Sequence, residues 1–202
     1  MAGAQGAASV SAALGGRLSG KDEIAPAKLR VLTGGPGAGK TSLLATLQAM
    51  GYPALDEAGR AIIQDQQRIG GNALPWTDPS AFAELMLSWD MRNVRLAERE
   101  AGSVFLDRGI PDVIGYLELT GLQVPAHLEK AASVFRYDQV FLLRPWPEIF
   151  AQDCERRQTW EEAVRTCEAM ERVYARLGYP LTEVPQGTLE QRAAFVINQM
   201  GK

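Results

Sequence analysis

The sequence predicts an α/β domain: a parallel sheet with helices on both faces. Three observations point there. Short apolar runs of strand character alternate with longer stretches of helical period from residue 29 onward. Each strand is followed by enough chain for a helical crossover, which makes neighbouring strands parallel and the connections right-handed. A glycine-rich turn joins the first strand to the first helix, and acidic or Gly/Pro residues follow the other strands. In such sheets ligands bind at the carboxyl ends of the strands, where Gly34, Glu57, Asp107 and Pro185 should gather.

The first strand is residues 29–33, and the first helix covers 42–50 with Leu43, Leu44 and Leu47 inward. Between them Gly34, Gly39, Lys40 and Thr41 match Gly, any four residues, Gly, Lys, Ser/Thr, the phosphate loop or Walker A pattern. Glycines let backbone N–H groups lie against phosphate oxygens, and the helix start adds partial positive charge. Gly34, Gly35, Gly37, Ala38, Gly39, Lys40, Thr41 and Ser42 form this candidate cradle. Lys40 can reach the β- and γ-phosphates, and the Thr41 hydroxyl suits Mg²⁺, which prefers oxygen ligands.

Residues 52–55 form a weak second strand, with Asp56 and Glu57 at its end and a helix over 58–69. Asp78 caps the next helix and Pro79 opens it. Phe82, Leu85, Met86, Trp89 and Leu96 are its expected core stripe, with Arg92 near that face. Residues 103–107 are a strong strand ending in Asp107, followed by Arg108, Gly109 and Asp112. Helices are expected over 111–119 and 126–135, and a fourth strand over 140–143, closed by Pro145 and Pro147. A charged stretch over 153–158 precedes a helix over 160–177 that buries Ala163, Cys167, Met170, Tyr174 and Leu177. A fifth strand (181–184), a Pro185 loop and a last helix (189–199) complete the chain. Residues 1–27, rich in Ala, Gly and Ser, read as a flexible tail.

Composition narrows the chemistry. At 202 residues with 46% hydrophobic and 22% charged residues, a single domain is expected. A net charge of -3 argues against nucleic acid as a partner. Two cysteines and a single histidine, His127, give no zinc spacing and no Ser/His relay. No apolar run is long enough to cross a bilayer, and a reduced, cytoplasmic setting is expected.

Asp107, after three apolar strand residues, is the candidate metal-side carboxylate alongside Thr41, or else a helix cap or an ion-pair partner of Arg108. Arg108 suits bidentate contact with phosphate or carboxylate, and structural pairing is the rival. Glu57 is the candidate acceptor for a substrate hydroxyl, or a carboxylate placed for a helix dipole. Arg156 and Arg157 read as mobile cations that close over a transferring phosphoryl group, with Arg144 a weaker member. Pro185, Gln186 and Gly187 border a nucleotide base by position.

Taken together, residues 34–41, Asp56 to Arg60, Phe105 to Asp112, Asp153 with the segment 156–162, and residues 177–185 resemble the NadR-like P-loop ATPase/kinase family, often labelled AAA-type. The resemblance covers about residues 29–200. It implies a three-layer P-loop NTPase fold with a five-stranded parallel sheet in the order 2-3-1-4-5, ATP with Mg²⁺, and a lid around 153–160. It implies that Lys40 and Thr41 carry phosphate and metal, Asp107 and Arg108 face metal and substrate, Glu57 stands near the acceptor, and Arg156 or Arg157 is the lid arginine. Family members often carry an uncharged residue where this chain has Asp56, so either carboxylate serves. Oligomeric AAA machines carry a sensor and a separate helical domain for which this length leaves no room, so the label is not read as mechanism.

The expected activity is transfer of the γ-phosphoryl of Mg-ATP to a small acceptor, by a monomer or homodimer. A nucleotide-dependent binding switch and a plain hydrolase are the rival readings. The acceptor is expected between Glu57, Arg60, Arg92 and Arg108.

Overall fold

A computed structural model describes residues 26–150 and 159–201. The tail residues 1–25, Cys154, and the expected lid residues Asp153, Arg156 and Arg157 lie outside the described residues.

Five parallel strands form one sheet in the order β2-β3-β1-β4-β5. β1 (Lys28–Gly34) is central, flanked by β3 (Ser103–Asp107) and β4 (Gln139–Leu143). The short strands β2 (Ala54–Leu55) and β5 (Leu181–Glu183) hold the edges. Val31, Leu32 and Thr33 have no solvent exposure, as expected of a central strand covered on both faces. The alternation of period two sorts the strands' side chains. Leu32, Phe105, Phe141 and Leu143 pack against Leu43, Leu44 and Leu47 of α1 (Lys40–Ala49) and Ala193 and Val196 of α8 (Leu189–Gln199). Val31, Val104, Leu106 and Val140 pack the other way, against Val94 and Ala97 of α3 (Pro79–Ala97) and Tyr174 of α7 (Trp160–Arg176). Each fully buried Leu or Phe here contributes roughly 1.5–3 kcal/mol.

The remaining helices are α2 (Gly59–Ile69), α4 (Ile110–Leu119), α5 (Ala126–Val134) and the four-residue α6 (Pro147–Phe150). α3 begins as expected: the Asp78 carboxylate accepts from Ala81 N at 2.9 Å, with Pro79 at the first helical position. α6 was not expected, because Pro145 and Pro147 read as a stop; Pro147 instead opens a helical turn, a position where it loses no hydrogen bond.

The inward face of α3 differs from the expected stripe. Leu85 is 37% exposed, and the buried line runs through Phe82, Ala83, Leu87, Asp90, Asn93, Val94 and Ala97. The cause is the two polar residues: a reading based on apolar period passes over Asp90 and Asn93, and so rotates the stripe. α7 buries Ala163, Cys167, Met170 and Tyr174 as expected, with Leu177 half-buried at its end. Cys167 is a core residue, its thiol pushed up in pKa by burial. None of the described helices is long and apolar enough to cross a membrane.

Candidate active site

The sheet brings the ends of β1, β2 and β3 together. Leu32 is in register with Asp107, and Gly34 with Leu143. The phosphate loop leaves β1 at Gly34, whose φ is 133°. A Cβ there would sit 2.0 Å from the Leu143 carbonyl oxygen, so only glycine permits the loop to turn off the sheet against β4.

Lys40, the first residue of α1, is 7% exposed. Its Nζ donates to the Gly35 carbonyl at 2.9 Å and lies 3.4 Å from that of Gly34. Burial, then the nearby Arg108 charge, pushes its pKa down to about 8, against the pull of Asp107 and Glu57. Thr41 and Ser42 are exposed in the first turn, and Ala38 is fully buried beneath the loop. The Thr41 hydroxyl donates to Asp107 Oδ2 at 3.3 Å.

Asp107 is 3% exposed, and its Oδ1 has no hydrogen-bond partner among the described residues. An orphaned buried carboxylate oxygen is costly unless something completes it. Burial raises its pKa, and Glu57 adds to this while Lys40 opposes it. A hydroxyl and a carboxylate side by side at a phosphate loop fit Mg²⁺, which takes one or two protein oxygens and completes its shell with water and phosphate. Asp107 is not paired with Arg108, and its side chain caps no helix.

Arg108 takes up the rival role, structural pairing. Its Nε donates to Glu57 Oε2 at 2.8 Å, and its Nη1 to Asp112 Oδ1 at 3.1 Å and the Gly34 carbonyl at 3.3 Å. It is the one non-glycine at positive φ (72°) among the described residues, a strain of order 1–3 kcal/mol that the ion pairs hold in place. Burial would lower its pKa, but Glu57, Asp112 and Asp107 hold it above the ordinary arginine value.

Glu57 is held the other way. Burial alone would raise its pKa, yet Arg108 and Lys40 together leave it below the usual carboxylate value. It is an ionised acceptor, 35% exposed, suited to orienting a hydroxyl more than to removing a proton early. Of the two carboxylates after β2, Glu57 joins this cluster; Asp56 is exposed and contributes its carbonyl to Asn93 Nδ2 at 3.1 Å.

The remaining expected members have these surroundings. Arg92 is exposed, 6.0 Å from the Trp89 ring centroid, and Arg60 is exposed in the first turn of α2, where its charge still reaches Glu57. Arg144 is no free cation: it pairs with Glu171 at 2.9 Å and Glu183 at 2.8 Å. Pro185 lines a cavity of about 200 Å³ with Gln186, Trp146 and Arg192. A larger groove of about 470 Å³ runs along β2 at the far end of α1, away from the loop.

Three residues carry structure at this site that sequence reasoning left without a role. Asp112, 5% exposed, accepts from Thr33 Oγ1 and Tyr174 OH at 2.7 Å each, and from Gly109 N and Arg108 Nη1 at 3.1 Å each. It ties β1, α4, α7 and Arg108 into one network. Its place in the first turn of α4, where a carboxylate suits the helix start, was the available signal. Asp90 is buried among acidic neighbours; burial, then Asp112, holds its pKa well above the carboxylate range. Arg192, 2% exposed, donates from Nη2 to the Ala38 carbonyl at 2.8 Å, and nothing local in the sequence marked it.

A loop cradle between a central β1 and α1, in a sheet ordered 2-3-1-4-5, defines a P-loop NTPase with the topology of small kinases. The chain belongs to the AAA domain family, whose model matches residues 29–192. No curated protein matches it significantly. Its fold is similar to that of a deoxyadenosine kinase from M. mycoides with products dCMP and dCDP bound, at 15% identity and a TM-score of 0.59, covering 86% of this chain and 98% of that one. A NadR protein in complex with NAD and AMP-PNP aligns at 20% identity and a TM-score of 0.61, over 86% of this chain and 48% of that one. Shikimate kinase from Acinetobacter baumannii in complex with shikimate aligns at 17% identity and a TM-score of 0.53, over 87% and 92%.

Proposed function

We propose that this chain transfers the γ-phosphoryl group of Mg-ATP to a hydroxyl of a small molecule. The carrying observation is the Thr41 hydroxyl beside Asp107, whose second oxygen has no partner among the described residues, at the foot of a phosphate loop that faces the Glu57–Arg108 pair. The fold's likeness to three proteins named as kinases or bound to an ATP analogue supports the same reading.

In this reading the loop amides and Lys40 hold the β- and γ-phosphates. Thr41 and Asp107 would hold Mg²⁺, which would supply positive charge against the polyphosphate when bound. Glu57, kept ionised by Arg108, accepts the acceptor's hydroxyl hydrogen bond and orients its oxygen in line with the γ-phosphorus. A bond forms from that oxygen to phosphorus as the bond to the bridging β–γ oxygen breaks, ADP leaves, and the hydroxyl proton passes late to the Glu57 carboxylate. A low pKa at Glu57 suits that order, since a loose transition state asks for positioning before proton removal. Arg108 balances charge on the acceptor side, and Arg156 or Arg157 is the cation expected to close over the phosphoryl group.

The test is ADP release from Mg-ATP against pooled nucleosides, nucleotides, amino alcohols and sugars, with product identified by mass spectrometry. One pool should speed release and yield a phosphorylated product. Lys40→Ala should lower that rate by orders of magnitude, about 10²-fold or more. Turnover independent of every pool, or intact transfer in Lys40→Ala, sinks the reading.

A further inference from the structure

Arg192 lies on α8, which is distant in sequence from the phosphate loop, yet it is sealed against that loop. It is 2% exposed, and its Nη2 donates to the Ala38 carbonyl at 2.8 Å. A Cβ placed on Gly39 would come within 2.7 Å of its Nη1, so the guanidinium fills the space behind the loop–helix junction. Its Nε and Nη1 have no hydrogen-bond partner among the described residues, and no carboxylate among them pairs with it. Burial lowers its pKa, with no acid among the described residues to hold it up. A buried guanidinium without an anion is costly, and selection of such a residue needs a compensating partner.

The geometry says what that partner does. A trans peptide points its C=O and N–H in opposite directions. With the Ala38 carbonyl drawn toward Arg192, the Gly39 N–H turns to the opposite side, the inner side of the loop. Gly39 itself sits at φ 74°, in the left-handed conformation from which successive amides converge on an anion.

We propose that Arg192 is a positioning residue for polyphosphate: it fixes the Ala38–Gly39 peptide with its amide inward, and its charge, unpaired among the described residues, is balanced by the nucleotide's phosphates. This rests on the nucleotide-binding reading above and adds to it a residue outside the loop motif. The tail of the ligand that matters is the polyphosphate, so inorganic tripolyphosphate feels Arg192 as ATP does.

Titration calorimetry with Mg-ATP and with Mg-tripolyphosphate, on the full chain and its Arg192→Lys, Arg192→Gln and Arg192→Met variants, tests this. Gln and Met should weaken both ligands by about tenfold or more, one charge-assisted interaction's worth. Lys, which keeps the charge, should stay within about threefold. Melting without ligand should not fall in Gln, which removes the buried unpaired charge and keeps a donor for the Ala38 carbonyl; a purely structural role predicts lower melting with unchanged affinity. If the unaltered chain binds neither ligand, the nucleotide reading itself fails. If it binds and Gln matches it, the role of Arg192 alone is overturned. Should Gln and Met not fold, the arginine Nε–H resonance missing from Arg192→Lys is followed in the unaltered protein; it should shift on adding tripolyphosphate, and an unmoved resonance overturns the proposal.

Discussion

The proposed function makes Lys40 a cation against phosphate, yet the free protein disfavours that charge. Its pKa is pushed down to about 8 by burial and by Arg108. Bound phosphates raise it again, so nucleotide binding above that pH must take up a proton. With a free pKa of about 8, Lys40 is about three-quarters neutral near pH 8.5 and almost fully charged near pH 6.5. Calorimetry in two buffers of different ionisation enthalpy should therefore report uptake of about 0.7–0.8 proton near pH 8.5, and close to none from Lys40 near pH 6.5. The stability of the free protein follows with its own sign. The lysine's pKa is lower folded than unfolded, so the unfolded chain binds more protons between about pH 8 and 10.4. Stability attributable to Lys40 therefore rises with pH through that window. Below it the buried charge costs about 3 kcal/mol, taking 1.36 kcal/mol per pKa unit. Lys40→Met should melt higher than the unaltered protein near pH 7, with the advantage gone near pH 10. Proton uptake near pH 8.5 that persists in Lys40→Met, or is absent from the unaltered chain, refutes the reasoning.

Asp107 gives a related sign: its pKa is raised by burial, so the folded state binds more protons than the unfolded state above the ordinary carboxylate value. Its stability cost is thus present on the alkaline side of the raised pKa and relieved on acidification through it; Asp107→Asn should gain in melting over the unaltered protein as pH rises, while its ATP affinity no longer responds to Mg²⁺. Asp112→Ala removes the carboxylate that satisfies Arg108, Thr33 and Tyr174, and should cost about 3–5 kcal/mol in urea unfolding. A loss under about 1 kcal/mol would mean the network is not what holds Arg108 at its positive φ. Gly34→Ala drives a Cβ into the Leu143 carbonyl, so the chain should lose both nucleotide binding and more than about 3 kcal/mol of stability, read by calorimetry and denaturant titration.

Much of this protein could be read from order along the chain. Strand and helix periods are local properties, and the strands at 29–33, 103–107 and 140–143 and the helices at 58–69 and 189–199 fall where the structure has them, within a residue or two. The phosphate loop is legible because its function demands glycine, lysine and threonine at fixed spacing in one continuous segment. Asp107 is legible because a carboxylate ending an apolar strand has only one end of a parallel sheet to occupy.

What the sequence could not supply depends on residues far apart in the chain. The stripe on α3 was misplaced because Asp90 and Asn93 are polar in type but buried in fact, and only packing against α2 and α4 decides that. Arg144 looked like a pocket cation until Glu171 and Glu183 closed on it from α7 and β5. Arg108 and Glu57, 51 residues apart, met as a pair that sets each other's ionisation. The contact from Arg192 to Ala38 spans 154 residues. A sequence by itself determines propensity, period and motif; charge state, pairing and burial are set by neighbours that folding alone brings within hydrogen-bonding distance.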